Sequence, residues 1–123
     1  MLLLLGGNNM FPIIDIDGYP TEETVEFLSK HSNFKDEKEA MQFALNCFKK
    51  LCYAYVKREN NYIYIGTCGW GGCEDIIRAM KENIWFLFLE IVSTRGGGHY
   101  FVDPFVDSSV KFTDFKVTVT YKG

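Results

Sequence analysis

Apolar residues recur at helical spacing most clearly at Ala40, Phe43, Ala44, Cys47, Phe48 and Leu51, which fall on one face of a helix. That helix is predicted to begin at Asp36. Asp36 and Glu39 stand at capping-box spacing, and Lys49 and Lys50 suit the negative end of the helix dipole. An earlier helix is predicted to start at Pro20 and Thr21 and to end near His31, Ser32 and Asn33. Glu22 and Glu23 lie in its positive first turn, and Val25, Phe27 and Leu28 are its apolar contribution. A third helix is predicted over 73–82, on an inner stripe of Ile76, Ile77 and Met80. Asn83 is placed to close it in a left-handed conformation.

Elsewhere the period drops to two. Residues 11–16 read as extended, and Asp17 and Gly18 supply a turn. Runs 53–57 and 62–65 are rich in tyrosine and β-branched residues, and a four-residue turn at 58–61 joins them into a hairpin. Their tyrosines alternate, which predicts an aromatic ladder on one face held by cross-strand packing. The apolar stretch 84–92 reads as a buried strand and 99–105 as its return partner. Phe115, Val117, Val119 and Tyr121 alternate with Lys116, Thr118 and Thr120, the pattern of a half-exposed final strand. The order predicts an α+β fold: an antiparallel sheet of two hairpins plus a C-terminal strand, with about three helices packed on one face. Residues 1–123 read as one domain, with 1–10 as a flexible or edge-strand segment.

Composition sharpens this. With 47% hydrophobic and 16% aromatic residues, the 123-residue chain has the material for a core. A formal net charge of -3 argues against direct nucleic-acid binding by phosphate neutralisation. The opening Met1-Leu2-Leu3-Leu4-Leu5-Gly6-Gly7 is too short to span a membrane and lacks a basic leader region. The expectation is a cytoplasmic protein without membrane contact. Cys47, Cys52, Cys68 and Cys73 are spaced at the border of zinc-site patterns, and reduced thiols are the simpler reading. No metal and no cofactor are expected.

Two glycine-rich loops carry the candidate chemistry. Gly69-Trp70-Gly71-Gly72-Cys73-Glu74 opens the third helix, where unpaired N–H groups and the helix dipole favour an anion. Trp70 would stack on a base or cover an apolar face, and Glu74 would cap the helix or read a polar edge. The simpler alternative is a tight strand-to-helix turn with Trp70 buried. In the second loop, Arg95-Gly96-Gly97-Gly98-His99-Tyr100, the glycines exceed what a hairpin needs. Arg95 offers a planar fork for phosphate or carboxylate, and His99 can donate or accept. The predicted ligand site comprises Trp70, Gly71, Gly72, Cys73, Glu74, Arg95, Gly97, Gly98, His99 and Tyr100. Cys73, His99 and Glu74 also form a conceivable nucleophile, base and orienter, since a helix N-terminus favours a thiolate. Ser93, Ser108 and Ser109 stand in no nucleophile-elbow pattern.

Three stretches taken in order carry a resemblance. They are Asp15-Ile16-Asp17-Gly18-Tyr19-Pro20-Thr21-Glu22-Glu23, Gly69-Trp70-Gly71-Gly72-Cys73-Glu74-Asp75-Ile76-Ile77, and residues 95–100. The chain resembles a family of small, largely uncharacterised phage and prophage proteins with a DGYPT-like start, a GGWSGNE-like loop and helix, and an RGGHY-like turn. It departs from them at Gly71, where serine is usual, at Cys73, where asparagine is common, and by one extra glycine before His99. The resemblance implies a phage accessory protein in a bacterial host, with no assigned activity. Two non-enzymatic roles follow as expectations. One is a homodimer that sequesters an anionic, nucleotide-like defence signal. The other is an inhibitor that binds a host defence protein directly, in the manner of anti-CRISPR proteins. A small Cys/His hydrolase is the third.

Overall fold

A computed structural model of the chain describes residues 4–5, 8–9, 11–59, 61–94 and 96–105. It begins with a minimal antiparallel ladder, β1 (Leu4–Leu5) against β2 (Asn8–Asn9). Asp15 then folds the chain back. Its Oδ1 accepts from the N–H groups of Asp17 and Tyr19, and Gly18 takes φ +85°. Helix α1 (Glu22–Ser29) starts where Thr21 accepts from the Thr24 N–H, and a 3₁₀ turn (His31–Asn33) follows it. Helix α2 (Glu37–Lys50) has the predicted cap. Asp36 accepts from the Glu39 N–H at 2.9 Å, while the Glu39 carboxylate accepts from the Lys35 N–H at 3.1 Å, one residue before the cap.

Strands β3 (Tyr55–Glu59) and β4 (Tyr62–Gly66) form the first hairpin. Its turn is tighter than predicted. Glu59 pairs with Tyr62, so only two residues lie between the strands, and β3 begins at Tyr55 because Tyr53 sits at φ +67°. Helix α3 (Gly71–Glu82) follows.

The predicted strand over 84–92 is corrected. Asn83 is extended, at φ -97°, rather than left-handed. Its side chain accepts from the Trp85 N–H and donates to the Leu28 carbonyl, which starts a short helix α4 (Ile84–Leu87). An apolar run of this length fits strand or helix equally, and the cap decides. Only β5 (Glu90–Thr94) is extended, and it hairpins back into β6 (Gly98–Val102). The predicted final strand, 115–121, lies outside the described residues, as does Arg95.

The sheet has four antiparallel strands in the order β3-β4-β6-β5. Alternation divides its faces. Val56, Ile63, Ile65, His99 and Phe101 are buried on one face, in a core shared with Leu28, Met41, Phe48, Ile76 and Met80 from the helices. Tyr55, Tyr62, Tyr64 and Tyr100 occupy the other, with ring centroids of neighbours 4.9 to 6.0 Å apart. The predicted α+β architecture, with helices against one sheet face and an aromatic ladder on the other, is therefore present. Among the described residues no helix is long and apolar enough to cross a membrane.

Candidate functional site

The two glycine loops meet within one chain. Thr67, the residue after β4, donates its N–H to the Gly97 carbonyl at 2.8 Å. Its hydroxyl oxygen accepts from the Gly69 N–H at 3.1 Å, which tightens the first loop into a turn through Cys68 (φ +55°) and Gly69 (φ +74°). Gly97 sits at φ +91°, and a Cβ there would lie 2.6 Å from the Gly69 backbone nitrogen. The second loop thus needs glycine for both its conformation and its contact.

Behind this junction runs a line of polar side chains from three elements. The Thr67 hydroxyl donates to Glu74 Oε2, on the first turn of α3. The same oxygen stands 3.0 Å from His99 Nε2, on β6, and His99 Nδ1 stands 2.7 Å from the Ser93 hydroxyl, on β5. Ser93 also lies 3.3 Å from Glu90 Oε2, which pairs with Lys81 Nζ at 3.3 Å. His99 is 5% exposed. Burial raises the Glu74 carboxyl, but the hydrogen bonds from Thr67 and His99 and the charges of His99 and Lys81 outweigh it and hold the group below its ordinary value of 4.5. The stabilisation Glu74 contributes is therefore present above pH 4.5 and is lost as pH falls through the depressed value. Thermal melts from neutral to acid pH are expected to show stability falling below that point, and Glu74→Gln is expected to flatten the fall. An acid limb unchanged in Glu74→Gln would remove Glu74 from the linkage.

The predicted site residues fall on different sides of the junction. Trp70 is half-buried between Tyr19 (centroids 4.9 Å apart) and Tyr53 (5.6 Å apart). It also lies over Gly72, where a Cβ would come within 2.3 Å of the indole. Trp70 is thus engaged with its own chain, and Gly72 is explained by that contact. Gly71 begins α3 with open space around it. The expectation of a reactive Cys73 is corrected. The thiol is buried and donates to the Cys52 carbonyl at 3.3 Å, and burial pushes it up to about 12, with the Glu74 carboxylate adding to the shift. Desolvation here outweighs the helix dipole. Cys47 is also buried, and Cys52 and Cys68 are exposed.

On the tyrosine face the same junction borders a cleft of about 420 Å³ lined by Tyr55, Tyr64, Gly66, Cys68, Gly96 and Gly97. Gly66 and Gly98 pair across β4 and β6 under the Tyr64 ring; a Cβ at either would come within 3.1 to 3.2 Å of that ring. Tyr100 packs beside Tyr64, its ring centroid 4.9 Å away. A larger concavity, about 670 Å³, lies at Asp15, Thr21, Glu22, Glu23 and Glu26. Its carboxylates repel anions, and Asp15 and Thr21 are engaged in the turn and cap, so it is a poor match for the predicted ligand.

No family model, curated protein or solved structure matches the chain. The structure adds Thr67, Ser93, Tyr55, Tyr64 and Gly66 to the residues singled out from sequence. The pairing of β5 with β6 sets Ser93 opposite His99, and the strand period sets Tyr64 and Gly66 on one face.

Proposed function

We propose that the protein binds a small, planar, anionic ligand of nucleotide type in the cleft between the glycine loops and the tyrosine ladder. The observation that carries this is the cleft itself: about 420 Å³, lined by two tyrosines, Tyr55 and Tyr64, together with Gly66, Cys68, Gly96 and Gly97. That volume suits a small ligand. Tyrosine rings give a stacking platform, and Gly96, with open space beside it, admits a ligand close to the main chain. Arg95, adjacent in sequence to Gly96, is retained as the source of positive charge, on its chain position alone. The resemblance to phage proteins favours a sequestering role for such a cleft.

Calorimetric titration with nucleotides tests the reading. Tyr64→Ala is expected to weaken binding about tenfold, the value of one lost stacking contact. Tyr62→Ala, whose hydroxyl donates to Glu59 outside the cleft, is expected to leave affinity unchanged. Equal losses in both variants would contradict the proposal.

A second reading, contact with a host defence protein, is favoured by a separate observation. Leu87 at the end of α4, Phe88 in the turn after it, and Ile91 and Val92 of β5, an edge strand among the described residues, are 56, 83, 53 and 47% exposed. The same edge would serve a homodimer. Phe88→Asp should abolish either contact and leave nucleotide binding intact.

A further inference from the structure

On the helix side of the sheet, across from the ligand cleft, Ser93, His99 and Glu74 stand in a connected row with 2.7 and 3.0 Å between reacting heteroatoms. We infer that Ser93 is a base-activated nucleophile, that His99 is its general base, and that the chain can carry out acyl transfer from a carboxylic ester to this serine. Three observations converge on it. The hydroxyl and the imidazole are within proton-transfer reach, the imidazole is fixed on its far side by a carboxylate, and that carboxylate is itself held by the Thr67 hydroxyl.

The Ser93 hydroxyl has one hydrogen and two acceptors in reach, Glu90 Oε2 at 3.3 Å and His99 Nδ1 at 2.7 Å, and the shorter contact is the one the attack uses. With Glu74 ionised, His99 Nε2 carries a hydrogen and donates it, so Nδ1 of the neutral ring is an acceptor and takes the Ser93 O–H. When Nδ1 gains the proton, both ring nitrogens donate. The charge then faces the Glu74 carboxylate, 3.0 Å from Nε2, which stabilises the imidazolium formed during attack.

The step balances as follows. Ser93 Oγ attacks the ester carbonyl carbon, and its proton passes to His99 Nδ1. The tetrahedral intermediate collapses, the bond to the leaving oxygen breaks with its electron pair, and the departing alcohol takes the proton from His99. Water then attacks the acyl-serine by the same route, releasing a carboxylic acid and restoring Ser93. Ser93 and His99 are the catalytic residues. Glu74 and Thr67 are positioning residues, acting through the ring. Cys73 takes no part, since its thiol is buried and bonded to the Cys52 carbonyl.

A serine-directed fluorophosphonate tests this on the intact protein. Ser93 Oγ would displace fluoride from phosphorus and leave a stable adduct, located by peptide mass spectrometry. The exposed Ser32 serves as internal reference within the same molecule. Labelling of Ser93 is expected about a hundredfold faster than Ser32, the contribution of a general base. The difference should vanish in denaturant. Glu74→Gln should slow Ser93 labelling, and Glu74→Asp should restore part of it, which a merely structural carboxylate would not do. Ser93 labelling no faster than Ser32 in the folded protein would overturn the inference. Because the comparison is internal to the wild-type chain, it stands even if His99→Ala fails to fold. Loss of nucleotide binding in the cleft would leave it untouched.

Discussion

Gly97→Ala is expected to lower the melting temperature by about 10 °C and to remove ligand binding with it. The reason is local. Gly97 has φ +91°, a conformation that disfavours any residue with a Cβ by about 1–2 kcal/mol. The added methyl would also stand 2.3 Å from the Thr67 hydroxyl and 2.6 Å from the Gly69 backbone nitrogen. The hydroxyl cannot rotate away without leaving Glu74, and the backbone cannot move without opening the first loop, so overpacking adds about 1–3 kcal/mol. The total is about 3 kcal/mol. Neighbouring glycines set the scale. Gly96→Ala meets no atom within 4 Å but keeps the φ penalty at +83°, and Gly71→Ala meets neither obstacle. Melting curves should rank the three losses Gly97, then Gly96, then Gly71. A Gly97→Ala protein as stable as Gly71→Ala would show that the loops are not locked together there.

Asp103→Ala is expected to cost about as much, 3 kcal/mol or somewhat more, with a different functional outcome. Asp103 follows β6, and its side chain is fully buried. One oxygen pairs with Arg58 of β3, which is 25% exposed, and the other accepts from the Phe105 N–H at 2.8 Å. Truncation would take a charged partner from the guanidinium and one acceptor from the Phe105 N–H. Asp103→Asn keeps an acceptor for the Phe105 N–H, so it should cost less than alanine. None of these atoms lines the cleft. The folded fraction of Asp103→Ala should therefore bind ligand with wild-type affinity, whereas Gly97→Ala should not. Denaturant unfolding paired with titration separates the two, and loss of affinity in Asp103→Ala would mean that the cleft depends on the whole sheet.

Much of the fold was legible where a local signal was unambiguous. The Asp36 cap and the six apolar positions behind it located α2, and the alternating tyrosines located the outer sheet face. The segment after α3 was not legible, because Ile84 and its neighbours suit either element, and the Asn83 side chain that caps α4 is held in place by a bond to the Leu28 carbonyl 55 residues away. At the site, the two loops stood out by composition, and their meeting resolves an arrangement that spacing alone left open. What each residue does there depended on long-range partners. Trp70 looked like a stacking platform, but Tyr19 and Tyr53 pack against it at tilted angles. Cys73 looked activated by a helix end, but burial dominates its thiol. Ser93 lacked a local motif, and only the hairpin register sets it against His99.

The proposed ligand site unites the joined glycine loops and the tyrosine ladder. It is tested by a nuclear magnetic resonance titration of the labelled protein with nucleoside mono- and triphosphates at millimolar concentration. Saturable shifts are expected at the backbone amides of Tyr64, Gly66, Cys68, Gly96 and Gly97. Shifts confined to the acidic concavity around Glu22 and Glu26, or no saturable shift with any nucleotide, would contradict it.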